Sequence, residues 1–181
     1  MIELKKLKSN NRRIRSRWQD QGIGVVGVRK GCSGIQECRE KFAQAGCRIS
    51  ASYRLEQLEA ARDHGVQTDF MMIRVPMLSE VADVVRITNI SLNSELQTLE
   101  ALNQEAGRQD KKHRVILMAD LGDLREGFWD KDELLQAAMK VEKDFFNLEL
   151  AGVGTNLGCY GAVSATAEKL DELAVCAEMI E

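Results

Sequence analysis

Apolar positions follow two rhythms along this chain, and the rhythms take turns. Ile2, Leu4, Leu7 and Ile14 recur at roughly helical spacing, which predicts a helix over Leu4–Gln19. The β-branched run Ile23–Val28 then reads as a buried strand. A helix is expected over Ile35–Ala45, with Ser33 as its N-cap and Gly46 as its stop. Cys47–Ala51 reads as a weak strand, and Arg54–His64 as a helix ended by Gly65. Asp69–Val75 is the next strand, followed by a short helix over Ser79–Val85 and a short strand over Ile90–Leu92. Ser94–Ala106 reads as a helix ended by Gly107, and His113–Ala119 as the clearest strand. Lys131–Asp144 (helix), Leu148–Gly154 (strand) and Ala165–Met179 (helix) complete the series.

Strand and helix alternate about six times, an order that gives parallel strands joined by right-handed helical crossovers. Two α/β architectures fit: an open doubly wound sheet, or part of an eight-stranded barrel. No internal repeat accompanies the rhythm, and Pro76 is the single proline, which argues against Pro-rich linkers.

Composition narrows the function classes. The net charge of −3 gives no strong pull toward nucleic acid or an anionic membrane surface. No apolar run is long enough to span a bilayer, and Met1–Lys8 has no signal-peptide core, so a cytoplasmic location is the default expectation. The five cysteines (Cys32, Cys38, Cys47, Cys159, Cys176) form no CxxC pair, and reduced thiols are the simplest reading. His64 and His113 do not sit at ligand spacing from a cysteine pair, so no metal is expected.

In either architecture ligands bind at the carboxyl ends of the strands. The residues found there are Lys30 after the first strand, Ser52 to Arg54 after the second, and Arg74 at the end of the third. Asn93, Ser94 and Glu95 follow the fourth, Asp120 to Gly127 the fifth, and Thr155 to Gly161 the sixth. Loops are polar in any protein, so composition alone does not make this rim a site. Lys30 is the sharper candidate. An amine directly after a buried strand is expected to be partly desolvated, which favours the neutral, nucleophilic form; the alternative is a lysine reaching into water. Arg125 could donate to an anionic oxygen, or could pair with its neighbours Asp120, Asp123 and Glu126.

Four strings carry a family resemblance: GVVGVRK (Gly24–Lys30), ISLNSELQTLEAL (Ile90–Leu102), ILMADLGDLREGFW (Ile116–Trp129) and GVGTNLGCYG (Gly152–Gly161). Together, and in order over essentially the whole chain, they resemble the alanine-racemase-like proteins of fold type III, nearest the ornithine-racemase branch. The resemblance implies a (β/α)8 TIM-type barrel domain over residues 1–181, incomplete at about six βα units. It also implies pyridoxal 5'-phosphate in the barrel mouth. Lys30 matches the lysine that holds the cofactor as an imine, Arg125 the arginine at its phenolic oxygen, and Asn156 the position beside the pyridine ring. Asn93 and Arg54 lie in family motifs and are assigned to the pocket wall. Two residues depart from the pattern: Arg29 stands where this branch more often has a small hydroxyl residue, and Gly34 where alanine racemases have a tyrosine.

The resemblance thus implies a racemase of ornithine or a related amino acid, with Lys30 exchanging the Cα proton on one face and a homodimer as the possible assembly. The phosphate-binding loops, the group at the pyridine nitrogen, the opposite acid/base and the C-terminal β domain are expected beyond Glu181. Two other readings stay open: a non-catalytic pyridoxal-phosphate carrier, like the related cofactor-homeostasis proteins, and an inactive truncated remnant.

Overall fold

The computed structural model describes residues 3–28, 30, 41, 43–161 and 163–180. The expected helix Ile35–Ala45 falls largely outside these residues, as do Arg29, Ser33, Gly34, Cys32 and Cys38. The chain divides into two compact units, residues 1–73 with 87–89, and residues 74–86 with 90–181.

In the first unit, helix α1 (Leu4–Gln19) has the bounds its apolar spacing predicts. Strands β1 (Gly27–Val28), β2 (Ile49–Ser52) and β3 (Asp69–Met72) pair in parallel, with Gly27 opposite Ser50 and Ile49 opposite Asp69. Helix α2 (Leu55–Asp63) buries Leu55, Leu58 and Ala61, a three-residue spacing that keeps one face inward. β1 is shorter than the apolar run Ile23–Val28. Its register places residues 23–25 opposite 46–48, and Gly46 there has φ +89°, so those residues lack an extended partner. Residues 22–26 instead line a cavity of about 340 Å³ with Arg15, Gln19, Gly46, Arg48 and Ile49.

The second unit is better packed into long elements. A 3-10 turn (Leu78–Glu80) leads into α3 (Val81–Ile87), and strands β4 (Ile90–Asn93), β5 (His113–Met118) and β6 (Leu148–Gly154) are again parallel. Between them run α4 (Leu96–Arg108) and α5 (Lys131–Lys143), and α6 (Ala167–Glu178) follows β6. α5 shows the logic of the crossovers: Asp130 caps its start by accepting the Asp132 and Glu133 N–H groups, and Leu134, Ala137, Ala138 and Val141 form its buried stripe. The six strands and their helices thus follow the parallel α/β order that the alternating rhythms predict.

Two expectations change. α4 runs through Gly107 to Arg108, and the left-handed residue that ends it is Asp110 at φ +51°. Gly107 serves close packing, because a Cβ there would lie 2.8 Å from Asn147 Nδ2, which donates to the Asn103 carbonyl. Arg74, expected on the polar rim, is committed to a carboxylate: its guanidinium grips both oxygens of Glu80, whose Oε1 also accepts the Met77 N–H at 2.9 Å. Among the described residues no helix is long and apolar enough to cross a membrane.

Burial alone would raise the Glu80 pKa, but the Arg74 and Met77 donors outweigh it and hold the carboxyl below its usual range. A depressed folded-state value means the stabilisation is present above the ordinary carboxylate pKa and is lost as pH falls through the folded one. Glu80→Gln is therefore expected to lower stability at neutral pH by about 1–3 kcal/mol and to flatten the acid limb of a pH series of urea melts. An unchanged acid limb would contradict this role for Glu80.

Candidate functional site

Each residue singled out by the sequence sits at or just beyond the carboxyl end of its own strand. In the first unit, Lys30 follows β1 by two residues and is exposed, where the sequence predicts a partly desolvated amine. Its Nζ lies 5.7 Å from the centroid of the Tyr53 ring, and the Arg54 guanidinium carbon lies 5.2 Å from the same centroid. Tyr53 and Arg54 are placed by the end of β2: Ser52 Oγ accepts the Arg54 N–H at 3.1 Å and donates to Gln57 Oε1 at 2.7 Å. Two cations thus flank one aromatic ring, whose quadrupole attracts both.

In the second unit, Asn93 ends β4 with 0% of its surface exposed. Its Nδ2 donates to the carbonyl and the hydroxyl oxygen of Ser91. Ser91 Oγ lies 2.9 Å from His113 Nε2. Asn93, Ser91 and His113 are thus joined in a buried polar chain that runs from strand to strand. Asn93 Oδ1 and the neighbouring Ser94 Oγ are buried with no hydrogen-bond partner. Unmet acceptors of this kind are costly, and their position at a strand's carboxyl end is where a bound group would meet them.

Arg125 and Asn156 are brought together through a residue that sequence reasoning left among Arg125's neighbours. Asp123, 1% exposed, stands in the loop after β5. Its Oδ1 accepts the N–H groups of Cys159, Tyr160 and Gly161 at 3.0, 2.9 and 2.9 Å. Its Oδ2 accepts Asn156 Nδ2 at 2.7 Å. The loops after β5 and β6 are thereby joined through one carboxylate. Arg125 adds a link, because its Nη1 donates to Cys159 Sγ. The same guanidinium lies 3.5 Å from Glu126, in line with the alternative that it pairs with a neighbouring carboxylate. Burial pushes the Glu126 carboxyl up, Arg125 pulls it down and Asp123 adds to the rise, leaving it above its ordinary range.

Backbone geometry makes room for these contacts. Asp120 Oδ1 accepts the N–H groups of Gly122 and Leu124, closing a tight turn in which Leu124 takes φ +57°. At Gly127, φ is +131° and an added Cβ would meet Asp120 N at 2.4 Å. No spacing within either loop advertises Asp123, since its partners lie more than thirty residues along the chain. Among the described residues no group of three or more His, Cys, Asp or Glu side chains is placed to hold a metal ion. Cys47, Cys159 and Cys176 are free thiols.

Residues 2–181 match the family described as "Alanine racemase, N-terminal domain". The chain is 37% identical over 172 residues to an ornithine racemase of Acetoanaerobium sticklandii, covering 95% of this chain and 48% of that protein. It is 29% identical over 181 residues to a lysine racemase of Thermotoga maritima, covering 100% of this chain and 50% of that one. It therefore spans about half the length of both racemases. Among solved structures it superposes on the alanine racemase of Streptomyces coelicolor with a TM-score of 0.81 at 21% identity, covering 98% of this chain and 49% of that one. The alanine racemase of Clostridium difficile gives 0.76 at 16%, covering 97% and 45%. These likenesses decide between the two architectures in favour of the barrel type.

Gly127→Ala combines a backbone collision with an unfavourable φ and is expected to cost more than about 1–3 kcal/mol. Chemical denaturation checks it; a variant as stable as the parent would mean the loop can be rebuilt without its present turn.

Proposed function

The chain belongs to the alanine racemase N-terminal domain family, and from that premise we propose that it is the pyridoxal 5'-phosphate-binding barrel domain of an amino-acid racemase acting on ornithine or a related amino acid. The observation that carries this reading is the placement of Lys30 directly past β1, at the strand end where barrels of this type bind ligands.

The residues present fit the cofactor. A primary amine suits its aldehyde and a guanidinium suits its phenolate oxygen. The unpartnered buried atoms Asn93 Oδ1 and Ser94 Oγ suit a ligand with a polar edge. When bound, the cofactor is an electron sink for the carbanion at the substrate's Cα. Lys30 would hold it through Nζ and would be the base that exchanges the Cα proton on one face. Arg125 would donate to its phenolic oxygen and Asn156 would face its ring, while Arg54 in the first unit and Asn93 in the second are each proposed as pocket residues. We assign the protein to the cytoplasm and to a homodimer.

Borohydride reduction of the purified chain with pyridoxal phosphate, followed by peptide mapping, is expected to put the tag on Lys30. Exchange of the Cα proton of ornithine and lysine with solvent deuterium, which a base on one face suffices to catalyse, is expected to exceed that of alanine, and Lys30→Ala to lower it by at least about a hundredfold. A tag on another residue defeats the cofactor assignment. A tag on Lys30 without turnover of any of the three amino acids points to a carrier instead.

A further inference from the structure

Asn156 has two ends, an oxygen and an NH2 group, and only its surroundings decide which faces the ring that the reading above places beside it. Asp123 supplies that decision. Its Oδ1 is taken up by the N–H groups of Cys159, Tyr160 and Gly161, while its Oδ2 meets Asn156 Nδ2 at 2.7 Å. An ionised carboxylate only accepts, so the amide must turn its nitrogen toward Asp123 and its oxygen away. The carboxylate is 1% exposed, so water does not compete for this contact. The three backbone donors fix where the carboxylate stands, and Arg125 is tied to the same segment through Cys159 Sγ.

We infer that Asp123 is a positioning residue: it sets the orientation of the Asn156 amide and thereby which polar face that residue offers a bound pyridoxal phosphate. The inference rests on the proposed cofactor reading. It separates two jobs within one carboxylate, with Oδ1 organising the backbone of the loop after β6 and Oδ2 orienting Asn156.

Asp123→Asn divides the two jobs. Its amide oxygen still accepts the three backbone N–H groups, but its nitrogen now faces the Asn156 nitrogen, and the Asn156 amide must flip. Pyridoxal phosphate binding, followed by titration of its visible absorption band, is measured for the parent chain, Asp123→Asn, Asn156→Ala and the double variant. Asp123→Asn is expected to weaken Kd about five- to tenfold, the worth of roughly one hydrogen bond, and to shift the bound cofactor's band. In the Asn156→Ala background the same change is expected to move Kd by less than about twofold. In the cofactor-free protein, the Asn156 side-chain NH2 resonances are protected from exchange in the parent and lose that protection in Asp123→Asn. An Asp123→Asn effect equal in both backgrounds assigns Asp123 to loop structure alone and overturns the inference, as does an unchanged Kd and band. A parent chain that takes up no pyridoxal phosphate overturns the cofactor reading and this inference with it. Should Asp123→Asn fail to fold, Asp123→Glu, which keeps the acceptor and displaces it by a methylene, enters the same cycle and is read in the same way.

Discussion

A carboxylate buried away from water must be surrounded by donors, or the charge destabilises the fold by several kcal/mol. Asp123 meets that constraint with donors from a segment more than thirty residues downstream. The two loops at the carboxyl ends of β5 and β6 are therefore interdependent, since either one alone would leave the charge or the backbone N–H groups exposed to the same penalty. The approach is close enough that a Cβ on Gly161 would lie 2.5 Å from the Gly122 carbonyl oxygen. The glycines in these strings thus mark contact between loops as much as flexibility within them.

Hydrophobic periodicity carries most of the fold, because burying one face per element leaves a trace in every helix and strand. The bounds of α1 and β6 coincide with those read from spacing, and α5 differs by one residue. The misses share a cause: a local signal overruled by a partner remote in sequence. The run Ile23–Val28 has strand composition, yet only Gly27–Val28 pair, because the segment opposite the rest turns at Gly46. Gly107 has the composition of a helix stop, yet it admits Asn147 while Asp110 makes the turn.

The candidate site was legible to a different depth. Lys30, Arg54, Asn93, Arg125 and Asn156 each end or follow a strand, a position that shows in the switch from apolar run to polar loop. What those positions lacked was their partners. Arg74 looks like any rim arginine until Glu80 is seen gripping it. Lys30 comes after an apolar run, which suggests desolvation, but it is exposed, and only Gly27–Val28 of that run pair as a strand. Asp123, Ser91 and His113 drew no functional reading because their hydrogen bonds join segments remote in sequence.

The electrostatics of the rim arise from the same arrangement. Arg125 has a carboxylate 3.5 Å away, and a tight ion pair there would neutralise the cation and leave little to attract an anion. Burial raises the Glu126 carboxyl above its ordinary range, Arg125 pulls it down and the nearby Asp123 charge adds to the rise. The buried Asp123 thus bears on this rim in two ways: it organises the loop that carries Asn156 by direct contact, and its charge adds to the field around Glu126. With Glu126 at 3.5 Å and its Nη1 on Cys159 Sγ, the Arg125 guanidinium is itself tied to both of the loops that Asp123 joins.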